Sequence, residues 1–516
     1  MSPQEWILLA MVLGLFGAIL SGIPAYLAIA GVPLVTAFIA AQFDLFNPNL
    51  LNLFPSRVWG VMSNTLLMAV PLFVLMGVLL ERAKLAENML RVLARMLGGS
   101  PTGMALAVLA FSAVIAASTG IIGATVVMLV LIALTPMVQA GVPQRQAAGL
   151  ICASGTLGQI IPPSIVLVLL GDQIGNTYLE AQQRAGNFAP QPVSVADLFA
   201  GALIPGLMLV GLYALWLLLT LRPKRNAETP PPPRGEPVAA SEIAFTFLPP
   251  MLLILAVLGS ILGGVATATE AAGLGAVGAL LLAAFAITQS RPMRALIGLA
   301  GLSAFALVSL RVLGLGRAAI DTPAGMAALA AAALIAAGVL LASGRLWQKQ
   351  MLQGALVETI RISGMVFAIV IAASMLALVF RGFGGDRTVA ALMAALPGGE
   401  LGMLLLVMGI VFLLGFILEA VEIIYVVVPL LGPAVLMGDI SPVWFAVLLA
   451  LNLQTSFLTP PFGFALFYFR SVAPRSLTTT DIYRGVAPFV MLQVIMLGIL
   501  ITWPGLATWL PDRLFN

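Results

Sequence analysis

Two short segments of this sequence carry the same unusual chemistry. One reads Gly155-Thr156-Leu157-Gly158-Gln159-Ile160-Ile161-Pro162-Pro163-Ser164, the other Asn452-Leu453-Gln454-Thr455-Ser456-Phe457-Leu458-Thr459-Pro460-Pro461-Phe462-Gly463. In each, an apolar run is interrupted by hydroxyl or amide side chains and then by a proline pair. Proline has no N–H and its ring clashes with the preceding turn. Two in succession free several carbonyls, and at membrane depth such backbone is tolerated only where it is buried in protein or lines a cavity. Freed carbonyls beside Ser, Thr and Gln oxygens are hard ligands suited to Na⁺, and the N-terminal ends of half-helices favour an anionic group. One Pro-Pro pair in isolation reads as a kink; two at equivalent places argue for a pair of half-sites.

Two further breaks stand beside these segments. Ser118-Thr119-Gly120, with Gly123 following, interrupts one apolar stretch. Close helix packing by small residues is the alternative reading there. Glu419-Ala420-Val421-Glu422 interrupts another, ahead of Pro429. Two carboxylates in an apolar segment are expensive unless they meet a cation, a group from elsewhere or an aqueous mouth. The candidate Na⁺ and substrate half-sites are therefore Ser118, Thr119, Gly120, Gly155, Thr156, Gly158, Gln159, Pro162, Pro163 and Ser164, and Glu419, Glu422, Gln454, Thr455, Ser456, Thr459, Pro460 and Pro461. Glu358 and Arg361 are three apart on one helix and are expected to pair. Glu270 is expected to cap a helix start, and Arg311 to snorkel from a span end. The sequence has no histidine and one cysteine. This removes His-based metal sites, Ser–His and Cys–His nucleophile pairs and histidine proton relays. Cys152 reads as a small packing residue. No catalytic residue, no metal beyond Na⁺ and no organic cofactor are expected.

The elements that must position these residues are membrane helices. The chain is 61% hydrophobic and 9% charged, whereas soluble domains carry roughly 25% charged residues. Its apolar runs are too long and unbroken for a membrane barrel. Twelve spans are predicted, at about 5–20, 23–42, 62–81, 146–170, 198–221, 243–263, 266–289, 295–315, 325–344, 350–380, 441–469 and 486–504. Two regions, 103–140 and 401–436, read as re-entrant helical hairpins broken in the middle. With the hairpins not crossing, 16 of the 24 Lys and Arg fall in loops on one side and six on the other, Arg57, Arg184, Arg317, Arg381, Arg387 and Arg513. The positive-inside rule makes the first side cytoplasmic. Both termini then face out; the hairpin at 103–140 opens to the cytoplasm and that at 401–436 outward. The start of the chain has Glu5 and no basic region, so a cleaved signal peptide is not expected. The net charge of +4 reflects orientation in the membrane and its lipids, not nucleic-acid binding.

The order crossing, hairpin, crossing, crossing occurs twice with opposite orientation, an inverted repeat of the kind that places transporter sites at the repeat interface. The expected organisation is N-terminal scaffold helices at 1–61, a first repeat at 62–221, a cytoplasmic Pro-rich linker at 222–242, scaffold helices at 243–349 with an extra pair at 295–344, and the second repeat at 350–516. The polar stretch 171–197 is expected to be the longest outward loop and a docking surface for an external partner.

The segments GTLGQIIPPSI (155–165), ATATEAAG (266–273), GFILEAVEIIYVVVP (415–429) and LNLQTSFLTPPFGFALFYFRSVAP (451–474) together resemble the large, DctM-type membrane subunit of tripartite ATP-independent periplasmic (TRAP) transporters over most of the chain. The resemblance implies an elevator-type transporter in a bacterial inner membrane, driven by Na⁺. It implies a periplasmic binding protein that delivers an organic acid, and a small four-helix membrane subunit. Such helices do not precede Gln4, so that subunit is expected as a separate chain. The family often has Asp where Glu419 stands, and the pair at 295–344 is absent from the compact family pattern. The forms EAVEIIYVVVP and FGFALFYFRSVAP resemble a subgroup linked to monocarboxylates such as 2-oxo and hydroxy acids. Three other functions compete: an elevator carboxylate exchanger that needs no binding protein, a simple channel, and a polytopic membrane enzyme. The enzyme reading finds no HExxH, paired-Asp or GxGD motif.

Overall fold

A computed structural model describes residues 2–97, 100–119, 122–221, 239–312, 322–395 and 397–515. Among these the chain is helical, with no strand. The first half runs α1 (Pro3–Leu20), α2 (Ala25–Ala41), α3 (Phe54–Met62), α4 (Ala69–Arg82), α5 (Leu85–Leu97), α6 (Pro101–Thr119), α7 (Ile122–Leu129), α8 (Thr135–Gln139), α9 (Gln144–Thr156), α10 (Ile165–Arg184) and α11 (Val195–Thr220). The second runs α12 (Ala240–Leu262), α13 (Ala268–Ile287), α14 (Arg291–Val312), α15 (Pro323–Gln348), α16 (Met351–Gly382), α17 (Gly385–Ala394), α18 (Gly399–Leu414), α19 (Ala420–Leu436), α20 (Pro442–Leu458), α21 (Phe464–Val472), α22 (Thr479–Thr502) and α23 (Gly505–Phe515).

The two halves correspond beyond the expected repeat. Each opens with a helix pair, α1–α2 and α12–α13. Each continues through an arm helix, α4 and α16, and a short connector, α5 and α17. Each then has a helical hairpin, a helix broken at Pro-Pro, and a closing helix, α11 and α22. The closing helices begin alike. Ser194 and Asp197 form a reciprocal N-terminal cap on α11, and Thr478 and Asp481 form the same cap on α22. Each cap satisfies two of the orphan N–H groups at a helix start. The additional pair, α14 and α15, lies between the halves and packs on itself and on α13.

The halves exchange partners. In the supporting part α13 packs on α4 and α2 on α16, while α4 and α16 also meet. In the core α9 packs on α22, α11 on α20, α10 on α19 and α21 on α7. At the α9–α22 crossing the backbones touch: a Cβ at Gly149 would strike the Gly485 carbonyl, and one at Gly485 the Arg145 carbonyl. Small residues of this kind let membrane helices approach when lipid offers no hydrophobic drive between them.

Among the described residues, eight helices are long and apolar enough to cross a membrane alone, and the pair Pro48–Met62 and Leu66–Arg82, bent by 53°, gives a ninth. The expected spans 146–170 and 441–469 are each two helices separated by a break, and 23–42 is one 17-residue helix. Within the first hairpin the returning arm, Ile122–Gln139, is an apolar stretch of 18 residues and carries a π-helical turn at Val130–Leu134 just before Pro136. Its length alone would permit a crossing. The hairpin reading therefore rests on the packing of both α6 and α7 against α9.

Several expectations change. The stretch 82–95, expected as a cytoplasmic loop after the span 62–81, holds a helix, α5, whose Met89, Leu90 and Val92 are buried while Arg91 is exposed. Polar residues 171–184 continue α10, which leaves only 185–194 as loop. Most of the linker, 222–238, lies outside the described residues, as do Arg317 and the Arg311 side chain; 240–242 begin α12. Glu358 does not pair with Arg361; its carboxylate accepts from Arg82 on α4 at 3.0 Å. Glu270 does cap α13, accepting from the Thr267 N–H at 2.8 Å. Cys152 is free and fully buried, against the Ala465 carbonyl of α21.

Candidate functional site

The two broken helices meet in the core, and each second half packs on the opposite hairpin. α10 lies along α19, and α21 lies along α7. One close approach fixes the α21–α7 contact, and another joins the first hairpin to its own broken helix. Gly155 sits against Val126 of α7, and Gly123 against the ring of Tyr468 on α21; a Cβ on either would overlap its neighbour. Gly415, at the break between α18 and α19, is pressed in the same way on Ser456. Glycine at these positions allows a hairpin to touch a broken helix without a side chain between them.

At the first break every residue from Gly155 to Ser164 is buried. Thr156 donates to the Ala153 carbonyl at 2.8 Å. The Ser164 hydroxyl donates to the Gln159 carbonyl at 3.2 Å, which closes the irregular segment on itself. The Gln159 side-chain oxygen and the Ser154 hydroxyl are buried without a hydrogen-bond partner among the described residues. Buried polar atoms of this kind are costly unless something meets them. Ser118 and Thr119 end α6, but their side chains and Gly120 lie outside the described residues.

The second break is open. Residues up to Leu458 are buried, Thr459 and Pro460 are half-buried, and Pro461 and Phe462 are exposed, Phe462 by 69%. Thr455, Ser456 and Thr459 donate to the carbonyls of Leu451, Leu453 and Thr455 at 2.7–2.9 Å. A hydroxyl that back-bonds to its own helix keeps its lone pairs free to accept. The Pro461 carbonyl accepts from Tyr483 of α22 at 2.9 Å, so not every carbonyl at this break is free. Pro162-Pro163 and Pro460-Pro461 are both cis.

Glu419 and Glu422 differ. Glu422 is 8% exposed, and its carboxylate accepts from the Glu419 N–H at 3.2 Å, closing the start of α19. Glu419, half-buried, stands at the turn itself, within electrostatic reach of Tyr468. Tyr468 thus lies between the first hairpin, at Gly123, and the tip of the second.

Gln454 is brought to a different place. It is fully buried, and neither side-chain polar atom closes a hydrogen bond among the described residues. It lies beside the Tyr213 hydroxyl of α11, which accepts from Gln493 of α22 at 2.7 Å. This polar trio joins α11, α20 and α22. Asn452, which was not singled out as a site residue, ties α20 to the second hairpin by donating to the Met408 carbonyl at 2.7 Å. Asp172 was also missed. It accepts from Asn64, just before α4, at 2.9 Å and from Tyr425 of α19 at 3.0 Å. A lone carboxylate directly after an apolar run is the sequence signal that marked it. Among the described residues no group of three or more His, Cys, Asp or Glu converges. The donor set at the breaks is one of carbonyl, hydroxyl and amide oxygens, which fits an alkali cation rather than a transition metal.

The chain is similar to curated transporters along nearly its whole length. It is 26% identical over 450 residues to the C4-dicarboxylate TRAP transporter large permease protein DctM of Vibrio cholerae, covering 87% of this chain and 86% of that one. It is 26% identical over 471 residues to the DctM of Pseudomonas aeruginosa, 91% and 92% of the two chains. The ectoine TRAP transporter large permease protein TeaC of Halomonas elongata is 22% identical over 508 residues, 98% and 99%. Among solved structures, the Alcanivorax borkumensis YdaH transporter, described as having an unusual topology, superposes with a TM-score of 0.52 at 15% identity over 90% of this chain and 89% of that one, a likeness of fold alone. The family model for the DctM component of the tripartite ATP-independent periplasmic transporter matches residues 9–304 and 287–506. This chain therefore belongs to the DctM-component family of tripartite ATP-independent periplasmic transporters, multi-pass inner-membrane permease subunits rather than enzymes.

Proposed function

We propose that this permease subunit takes up an organic acid delivered by a periplasmic binding protein, works beside a separate small four-helix membrane subunit, and couples uptake to Na⁺ by an elevator movement. The observation that carries this reading is the crossed packing of the two broken helices on the two opposite hairpins. That arrangement makes one compact body, with irregular backbone at its centre and the paired helices α2–α16 and α13–α4 as its support. Such a body can move as a unit without dismantling its site.

The residues fit a coupling cation. Buried oxygens of Gln159 and Ser154 lack a partner, and the hydroxyls of Thr156, Thr455 and Thr459 retain accepting lone pairs. Glu419 adds a formal negative charge at the second hairpin tip. The start of α10 faces the first break and suits an anionic group. We assign the substrate class as a monocarboxylate such as a 2-oxo or hydroxy acid. The named relatives carry substrates as different as C4-dicarboxylates and ectoine.

The test is uptake of labelled pyruvate and lactate into proteoliposomes that contain both membrane subunits, with purified binding protein outside. Uptake is expected only with an inward Na⁺ gradient and the binding protein. Equal uptake after Na⁺ is replaced by K⁺ refutes the coupling. Full-rate uptake of free substrate without binding protein favours the exchanger reading instead.

A further inference from the structure

The positive-inside count leaves six cations on the outer side, and three of them converge. Arg381 ends the arm helix α16 and donates to Glu180 of α10 at 2.6 Å. Arg184, one turn beyond on α10, bridges Glu180 at 2.7 Å and Asp386 of the connector α17 at 2.8 Å. Arg57 of α3 lies within electrostatic reach of Arg381 and Glu180. The four bridging side chains are 26–36% exposed, so they are only partly screened by water. About two turns back from Glu180 along α10, Asp172 accepts from Asn64 of the supporting part. Apart from the Arg184–Glu180 pair, which lies within α10, each of these bonds runs from the second half of the first broken helix to a supporting or connecting element.

The equivalent place on the other side is built differently. Arg82 ends α4 as Arg381 ends α16, and each is followed within three residues by a positive-φ residue, Lys84 at 55° and Gly384 at 75°. Yet Arg82 pairs with Glu358, so it joins two supporting helices. Arg145 pairs with Asp481 inside the core, and Arg95 joins α5 to α12. Among the described residues no ion pair on that side ties a broken helix to its support.

We propose that Glu180, Arg184, Arg381 and Asp386 form a clasp that holds the first broken helix on the supporting helices in one end state of transport, and that it opens in every cycle. The proposal rests on the elevator reading above. It gives these residues a positioning role, because none of them lies at either break. It also accounts for the unequal exposure of the two breaks: with α10 clasped, its break is buried, while the break before α21, which has no clasp, is open.

The test uses the full chain in membranes and needs no substrate. Cys152 is buried, so an introduced Phe462→Cys is the reactive thiol. An impermeant maleimide is applied to right-side-out and inside-out vesicles, and the ratio of labelling from the two faces reports the end state. Replacing Glu180→Gln together with Arg184→Gln is expected to shift that ratio toward the second face by about threefold or more, as loss of a state-specific contact should. The swapped pair Glu180→Arg with Arg381→Glu is expected to recover part of the original ratio, which a merely structural defect would not do. An unchanged ratio in the neutral variant, or no recovery in the swap, overturns the clasp. Uptake of labelled acid by the same vesicles reports separately on the transport reading, and its failure leaves the labelling ratio to decide the clasp.

Discussion

The two broken helices share a Pro-Pro motif and a position in the repeat, but their surroundings differ. The first break, Gly155–Ser164, is buried throughout, loops back on itself through Ser164, and holds unpartnered oxygens. The second, Gln454–Pro461, has its hydroxyls bonded to its own helix, one carbonyl held by Tyr483, and its far end exposed. Only the second hairpin tip carries carboxylates. The difference teaches that the two breaks of an inverted repeat need not be alike. One is buried and lined with oxygens, and the other stands beside carboxylates and is open at its far end.

The hardest blow to this arrangement is steric. Gly155→Val would drive the first hairpin off its broken helix through Val126, and Gly415→Val would do the same to the second through Ser456. Overpacking of this kind costs roughly 1–3 kcal/mol or more. Transport is expected to fall to background in both, with reduced yield of folded protein on size-exclusion chromatography. Wild-type uptake by either variant would show that the close contacts are dispensable.

The carboxylates should separate next. Glu419→Gln is expected to reduce uptake by about tenfold or more, if its charge is what a bound cation needs. Glu422→Gln keeps an oxygen that can accept from the Glu419 N–H at the helix start and should have a smaller effect on uptake. Equal losses of uptake at matched expression would erase the distinction drawn between them.

The two glutamines sharpen the comparison further. Gln159→Leu removes an unpartnered oxygen at the first break and is expected to raise the Na⁺ concentration for half-maximal uptake several-fold, as loss of one ion ligand does. Gln454→Leu alters the Tyr213–Gln493 trio instead. It should leave the Na⁺ dependence in place and change thermal stability by about 1 kcal/mol in either direction, since an unpaired buried amide is no asset. A Na⁺ titration that moves with Gln454 and not with Gln159 would reverse the assignment. The smallest effect is expected from Tyr483→Phe, which frees the Pro461 carbonyl and should cost about 1 kcal/mol or less; a large loss of uptake would place that bond in the working site.

Much of this was legible because the signals were local. A proline pair after hydroxyl residues breaks a helix wherever it stands, and both segments do break, at Gln159–Ser164 and Thr459–Gly463. The capping residue Glu270 was found from its place at a span start. The matched caps at Ser194–Asp197 and Thr478–Asp481 had an equally local signal, a hydroxyl residue three before an acid, and went unused. The pairing of Glu358 was misread because a helix neighbour three residues away is always visible in a sequence, whereas Arg82, 276 residues distant, is not. Gln454 was misplaced for a related reason. Its type and spacing suited a site, but the direction of a side chain around a helix depends on which neighbours pack there.

The sequence by itself determined a helical membrane protein, two broken helices, two hairpins and their inverted order, because bilayer length, proline chemistry and charge asymmetry act on stretches of a few to twenty residues. Only the tertiary structure decided that the halves exchange partners, that one break is sealed and the other open, and that Arg381 and Asp386 reach α10. Those outcomes depend on how closely glycine-bearing helices can approach and on which charges then come within reach. Such contacts join residues hundreds of positions apart, and no local pattern encodes them.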